Sequence, residues 1–279
     1  MVNAVKETVR DPLFDLSGSV VVVTGGFGQL GRQYVHALLA RGARVAVLEN
    51  RGTPDDLAQA FPDAPSARLM LLTADVAHRA TLEAALATLV DTGGPPQGLV
   101  NNAALDSPPN APISENGPFE TYPADSWDRV MEINAKGVFQ CCQVFGGAMA
   151  KAGRGSIVNI SSIYGVVSPD QRFYEHRRQA GEEFYKPVAY SASKSALFAL
   201  TRYLSTYWAD RGVRTNLLVL AGVFNNQDQQ FLDAYLARMP LGRMANADEY
   251  EGAVVFLLSR ASSYMTGSVM TIDGGWTAW

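Results

Sequence analysis

Four consecutive valines at residues 20–23 are followed at once by Thr24-Gly25-Gly26-Phe27-Gly28-Gln29-Leu30-Gly31, and a helix-like stretch over 33–41 comes next. No other feature constrains the fold so strongly. An unbroken β-branched run is the pattern of a strand buried on both faces. Glycines set between such a strand and a helix permit a tight turn, close backbone approach to an anion, and close helix–strand contact. The helix start then offers free N–H groups and a positive dipole end, the arrangement that receives a pyrophosphate. A tight turn in an unrelated α/β protein is the alternative that this segment alone leaves open.

The rest of the chain repeats the strand–helix rhythm. Further apolar runs at 44–48, 69–73, 98–100, 156–160, 214–220 and 268–272 read as strands. Helical patterns lie between them near 81–90, 126–149, 188–209 and 248–258. The expected fold is α/β: a doubly wound Rossmann fold with a seven-stranded parallel sheet and helices on both faces. No internal repeat or compositional break divides residues 1–279, so one domain is expected. Two irregular stretches interrupt the rhythm, 105–124 and 168–187. In a doubly wound sheet, such loops gather around the ligand crevice.

Of the 279 residues 47% are hydrophobic, and the net charge is −4, which argues against nucleic acid or an anionic membrane as partner. Cys141 and Cys142 are adjacent and read as core thiols of a reducing compartment. His36, His78 and His176 are scattered without ligand spacing, so no metal is expected. Residues 1–10 carry Lys6, Glu7 and Arg10 and no apolar leader, and no apolar run reaches the ~20 residues of a membrane span. A cytoplasmic protein is expected.

Glu49 ends the second strand, 18 residues after Gly31. A carboxylate there accepts hydrogen bonds from ribose hydroxyls and repels a 2′-phosphate, favouring NAD over NADP. Arg51, two residues on, opposes that preference. Tyr190-Ser191-Ala192-Ser193-Lys194 opens a strong helical stretch, and positions i and i+4 share a helix face. A phenol with pKa about 10 is a poor base at neutral pH, and a nearby cation favours its phenolate.

With these residues in place the chain resembles the short-chain dehydrogenase/reductase family over nearly its whole length. The further markers come in the family's order: Asp75-Val76, Asn101-Asn102-Ala103-Ala104, Asn134 within Ile133-Asn134-Ala135-Lys136-Gly137, Asn159-Ile160-Ser161-Ser162, then Tyr190 and Lys194, and Asp273-Gly274-Gly275. The resemblance implies that Tyr190 is the general acid/base and that Ser162 holds the reacting oxygen beside it. Lys194 lowers the Tyr190 pKa and binds the nicotinamide ribose, and Asn134 holds a water linking Lys194 to solvent. It also implies a cofactor surface of Gly25, Phe27, Gly28, Gln29, Leu30, Glu49, Asp75, Val76, Asn102, Ala103, Ala104, Tyr190, Lys194 and Val223.

Three departures from the family pattern stand out. Gln29 takes the usual middle glycine, Leu220-Ala221 replaces a Pro-Gly pair, and Ser162 and Tyr190 are 28 residues apart where about a dozen is usual. The excess is the insertion at 168–187, rich in charges and aromatics. It points to a small polar alcohol or ketone of sugar type as substrate, with Arg172, Arg177 and Arg178 as candidates for a carboxylate or phosphate. Residues 224–245 are expected to form a lid, with Phe224, Asn225 and Gln227 near the substrate. Trp276 and Trp279 are placed either in the core or at a subunit interface, and a homo-oligomer, tetramer or dimer, is expected. Two other functions fit the same residues: an NAD-binding regulator without turnover, and an epimerase or lyase using transient oxidation.

Overall fold

The computed structural model describes residues 11–105 and 116–279. Lys6, Glu7 and Arg10, and the first half of the 105–124 stretch, lie outside the described residues. Seven parallel strands form one sheet in the order β3-β2-β1-β4-β5-β6-β7. They are β1 (Val20–Thr24), β2 (Arg44–Glu49), β3 (Leu69–Thr73), β4 (Gly98–Asn101), β5 (Gly155–Ser162), β6 (Val213–Leu220) and β7 (Val269–Ile272). The strand order reverses between β1 and β4. The crevice beyond their carboxyl ends is where a doubly wound sheet binds its ligand.

The valine run behaves as its pattern requires. Val20 and Val22 enter one core layer with Leu48, Leu99, Phe145 and Ile157. Val21 and Val23 enter the other with Tyr34, Leu38, Val158 and Val254. Successive side chains alternate across a strand, so a sheet covered on both faces demands apolar residues at every position. The two edge strands are the exceptions: Val269 and Thr271 of β7 are exposed, as is Thr73 of β3.

Helix α1 (Gln29–Ala40) begins directly on the glycine segment, four residues before the expected start. Helix α2 (Pro54–Ala60) was not foreseen; Thr53 and Asp56 form a capping box at its start. Helix α3 (Arg79–Gly93) follows β3. The run through residues 124–152, here α4, is helical throughout but widens into π-helical turns at Glu132–Gly137 and Cys142–Gly146. Such turns are rare and concentrate at functional sites; the first of them contains Asn134. The insertion forms a short helix, α5 (Glu175–Gln179), and α6 (Val188–Tyr207) carries Tyr190 and Lys194. Helices α7 (Gln229–Leu236) and α8 (Glu251–Leu258) complete the order.

The insertion packs on α7. Phe173 meets Phe231, Tyr235 and Trp276 edge-on, and Tyr235 stacks on Trp276 at 4.3 Å. Trp276 is therefore core, whereas Trp279 is exposed. Asp170 takes ion pairs from Arg172 at 2.6 Å and Arg238 at 2.9 Å. The two arginines hold its carboxyl well below the usual carboxylate range. His176 meets Asp228, the residue that caps α7, at 3.2 Å. Cys141 and Cys142 are buried, and burial pushes the Cys142 thiol up to about 12.

Candidate active site

The glycine segment is shaped by two glycines whose side-chain hydrogen cannot be replaced. A Cβ on Gly31 would lie 2.1 Å from the Gly25 carbonyl oxygen. Gly25 has a φ of +66°, and its Cβ would meet the Ala103 backbone at 3.0 Å. Gly28 differs: its φ is −68°, and a Cβ would meet only the Gly25 oxygen at 3.3 Å. The turn would have to give by only a few tenths of an ångström to take a side chain there, so a glycine at 28 suits close approach by something else. Gln29, Leu30 and Gly31 form the first turn of α1, whose leading N–H groups have no intrahelical acceptor. Gln29 and Leu30 line the adjoining cavity.

The β4 loop braces this segment. Thr24 Oγ1 accepts hydrogen bonds from the Asn102 and Ala103 amides at 3.0 and 2.9 Å. The Asn102 side-chain amide donates to the Thr24 and Gly25 carbonyls at 3.1 and 3.0 Å. Glu49 accepts from the Phe27 amide at 2.6 Å. Partial burial raises its pKa, and that single N–H only partly offsets the cost. A half-buried carboxylate with one backbone donor gains from further donors, which a ribose diol supplies. Asp75 sits past β3 with its carboxylate on the Ala77 amide and beside His78. Val76 is core, packed against Gly137.

Strand β5 ends on Ser162, and α6 is pinned against it. Lys194 Nζ donates to the Ile160 carbonyl at 3.0 Å, and Ser161 Oγ donates to the Lys194 carbonyl at 3.0 Å. Deeper, Asn101 donates to Asn159 at 2.8 Å, and Asn159 donates to Thr201 at 2.9 Å. This buried chain links β4, β5 and α6. Ser162, Tyr190 and Lys194 therefore face one cavity of about 530 Å³. The Lys194 ammonium lies 5.9 Å from the centre of the Tyr190 ring, as the i, i+4 spacing requires.

Several expected site residues stand elsewhere or act otherwise. Asn134 is fully buried, and its side-chain amide is taken up by both backbone groups of Leu105, at 2.7 and 2.9 Å, and by Ser193 Oγ at 3.1 Å. Ser193 in turn donates to the Tyr190 carbonyl at 2.8 Å. The Asn134 side chain thus positions the helix turn that carries Tyr190. Arg172 is turned outward, 79% exposed, on Asp170, and does not line the cavity. Arg178 donates to the Phe184 and Gln171 carbonyls and braces the insertion. Phe224 is exposed and is not part of the cavity wall, whereas Asn225 and Gln227 are.

Of the other walls, only Arg177 is a candidate that the sequence already offers. Tyr174, Arg177, Phe184 and Lys186 enter from the insertion, and Phe231 and Tyr235 from α7. The Lys186 ammonium stands 4.7 Å from the Tyr190 ring centre. Only the i, i+4 relation of Lys186 to Tyr190 hinted at this. Val223 and Ala245 pair as a lone parallel bridge beside the cavity.

A doubly wound sheet, a glycine turn at its switch point, and a serine, tyrosine and lysine in one crevice define a dinucleotide-dependent oxidoreductase. Known proteins agree. A family profile described as enoyl-(acyl carrier protein) reductase matches residues 28–277. Galactitol 2-dehydrogenase of Rhizobium johnstonii is 33% identical, covering 95% of this chain and 98% of its own. A crystal structure of gluconate 5-dehydrogenase from Burkholderia cenocepacia, in complex with NADP and tartrate, superposes with a TM-score of 0.81 at 26% identity, covering 96% of this chain and 98% of that one. A short-chain dehydrogenase from Leptospira borgpetersenii with bound NAD+ gives 0.82 at 29% identity, covering 99% and 100%. The chain belongs to the short-chain dehydrogenase/reductase family, whose fold binds NAD(P).

Proposed function

We propose that this protein interconverts a secondary alcohol and a ketone on a polyol, sugar or sugar-acid substrate, with NAD as its preferred dinucleotide. The observation that carries the reading is the meeting of Ser162, Tyr190 and Lys194 in one cavity that opens onto the glycine turn. Gly25, Phe27, Gly28, Gln29 and Leu30 would hold the pyrophosphate, with Glu49 on the adenosine ribose and Asp75-Val76 near the adenine. Asn102, Ala103 and Ala104 would flank the cofactor, and the Val223 backbone would receive the nicotinamide end. When bound, the nicotinamide accepts or supplies the hydride.

The chain's own residues manage the proton. Ser162 Oγ donates to the substrate oxygen and sets it beside Tyr190, a positioning role. Tyr190 removes the hydroxyl proton as the alcohol carbon is oxidised, and returns it in reduction. Lys194, anchored on the Ile160 carbonyl, holds a positive charge near the phenol and so favours its phenolate. Burial and the fixed donors around the site lower the reorganisation needed as charge moves.

Substrate class follows from the walls. Tyr174, Phe184 and Phe231 offer aromatic surface, while Arg177, Lys186, Asn225 and Gln227 offer hydrogen-bonding groups. A polyhydroxylated chain uses both, and the likeness to galactitol 2-dehydrogenase supports the same class. Glu49 supports NAD; the neighbouring structures hold NADP in one case and NAD+ in another. Exposed Tyr203, Tyr207, Phe139 and Trp127 along α4 and α6 support a homo-oligomer. No described helix is long and apolar enough to cross a membrane.

The test is nicotinamide absorbance with NAD and with NADP across polyols, sugars, sugar acids and aliphatic alcohols. Turnover of polyhydroxylated substrates with NAD is expected. Turnover of aliphatic alcohols alone would contradict the substrate class. Product formation without net NADH would instead indicate an epimerase or lyase.

A further inference from the structure

Of the two departures from the family pattern that flank the cofactor cleft, one reaches the loop that follows the other. Gln29 stands where the family usually places a glycine, at the first residue of α1. Its side-chain amide donates to the Phe224 carbonyl at 2.9 Å, a contact between residues 195 positions apart. Phe224 lies just past Leu220-Ala221, which replace the usual Pro-Gly pair after β6. A proline would fix the backbone direction of that loop; here other bonds must do so.

Those bonds can be traced. The Gly222 amide donates to Tyr235 Oη at 3.0 Å, and the Phe224 amide to the Ala245 carbonyl at 2.9 Å. Gln227 folds back, donating to the Val223 carbonyl at 2.9 Å and accepting from the Asn225 amide at 2.8 Å. Asn226 takes a left-handed φ of 54°, which asparagine tolerates better than most residues. All of these lie within the segment 222–245, so they give the loop its shape. Of this set, only the Gln29 bond crosses the cleft and ties that shape to the glycine turn.

We propose that Gln29 is a positioning residue that sets the width of the cofactor cleft at its nicotinamide end, by holding the Phe224 carbonyl against the first turn of α1. A glycine at 29 has no side chain with which to make this tie, so the glutamine takes over a task that the Pro-Gly pair performs elsewhere. The proposal rests on the dinucleotide reading above. It gives the Gln29 side chain no contact with the reacting atoms and no direct grip on the phosphates, which the backbone amide of the same residue would meet.

Gln29→Met keeps the length of the side chain and removes the donor, and Gln29 is exposed, so the variant folds as the parent does. Binding of NADH and of ADP-ribose to the full chain, by calorimetry, separates the two ends of the ligand. NADH affinity is expected to fall about three- to tenfold, the range given by one lost hydrogen bond of ordinary strength, with ADP-ribose affinity unchanged. Gln29→Gly is expected to match Gln29→Met. Equal weakening of both ligands would overturn the proposal, because the Gln29 side chain would then act at the phosphates. Unchanged NADH affinity would overturn it too. Parent protein that binds neither ligand would overturn the dinucleotide reading itself, a result distinct from either.

Discussion

Replacing Gly31 and Gly28 by alanine in separate variants tests the cofactor turn from two directions. At Gly31 the new Cβ would lie 2.1 Å from the Gly25 oxygen and 2.7 Å from Gly26 Cα. Both obstacles are backbone, and ordinary contact needs more than an ångström of extra room, so either the turn or the start of α1 must move. A cost of ~3 kcal/mol is the upper part of the usual range for overpacking. With an unfolding entropy of about 2.1 cal/mol/K per residue, a chain of this length loses about 5 °C of melting temperature. At Gly28 the nearest atom is 3.3 Å away and φ is already ordinary, so the melting temperature should stay within about 1–2 °C of the parent. The same alanine would stand where the pyrophosphate approaches, and NADH affinity should fall about tenfold, as for a steric conflict of about 1.4 kcal/mol. Differential scanning fluorimetry and NADH titration read both quantities. If Gly31→Ala melts with the parent, or Gly28→Ala binds NADH as tightly as the parent, the steric reasoning is wrong.

Three further outcomes are expected. Asp170→Asn should destabilise the protein by about 1–2 kcal/mol at pH 7, since Arg172 and Arg238 are partly solvated partners. Because the folded carboxyl is held low, that stability is complete above the unfolded pKa of about 4 and disappears as pH falls further; denaturant melts of parent and variant should converge in acid. Glu49→Ala should move the ratio of NAD to NADP efficiency (kcat/KM) toward NADP by about ten- to a hundredfold, the worth of one charge-assisted hydrogen bond. Lys194→Met should displace the rising limb of the pH–rate profile for alcohol oxidation to higher pH, whereas Arg172→Met should leave both profile and KM unchanged.

Much of the fold was legible because its signals are local. The valine run had to be a strand buried twice, and the glycines after it had to turn, so β1 and α1 followed. Tyr190 and Lys194 needed only helical periodicity to be placed together. What the sequence could not show depends on contacts between distant segments. Arg172 and Lys186 are both cations of the same insertion, yet one is drawn outward by Asp170 and the other stands beside Tyr190. Arg172 finds its partner two residues away, whereas Lys186 stands at Tyr190 by the path of the whole insertion, which Phe173 packs on α7. The π-helical turns of α4 were hidden for a similar reason. The first contains Asn134, which engages the distant Leu105 and Ser193, and the side-chain periodicity over 126–149 reads as plain helix. Gln29 appeared in the sequence as a lost glycine, and only the chain's return 195 residues later makes it a tie.

Tyr190 remains the residue on which the account depends most directly. Tyr190→Phe removes one oxygen and leaves the ring that packs beside Lys186 and Lys194. The decisive measurement is the single-turnover rate of NADH formation with a polyol that the parent oxidises, alongside NADH affinity for both proteins. The account expects the rate to fall about 10²–10⁴-fold, the usual contribution of a general acid/base, with NADH affinity retained. A Tyr190→Phe protein that forms NADH at the parent's rate would contradict it.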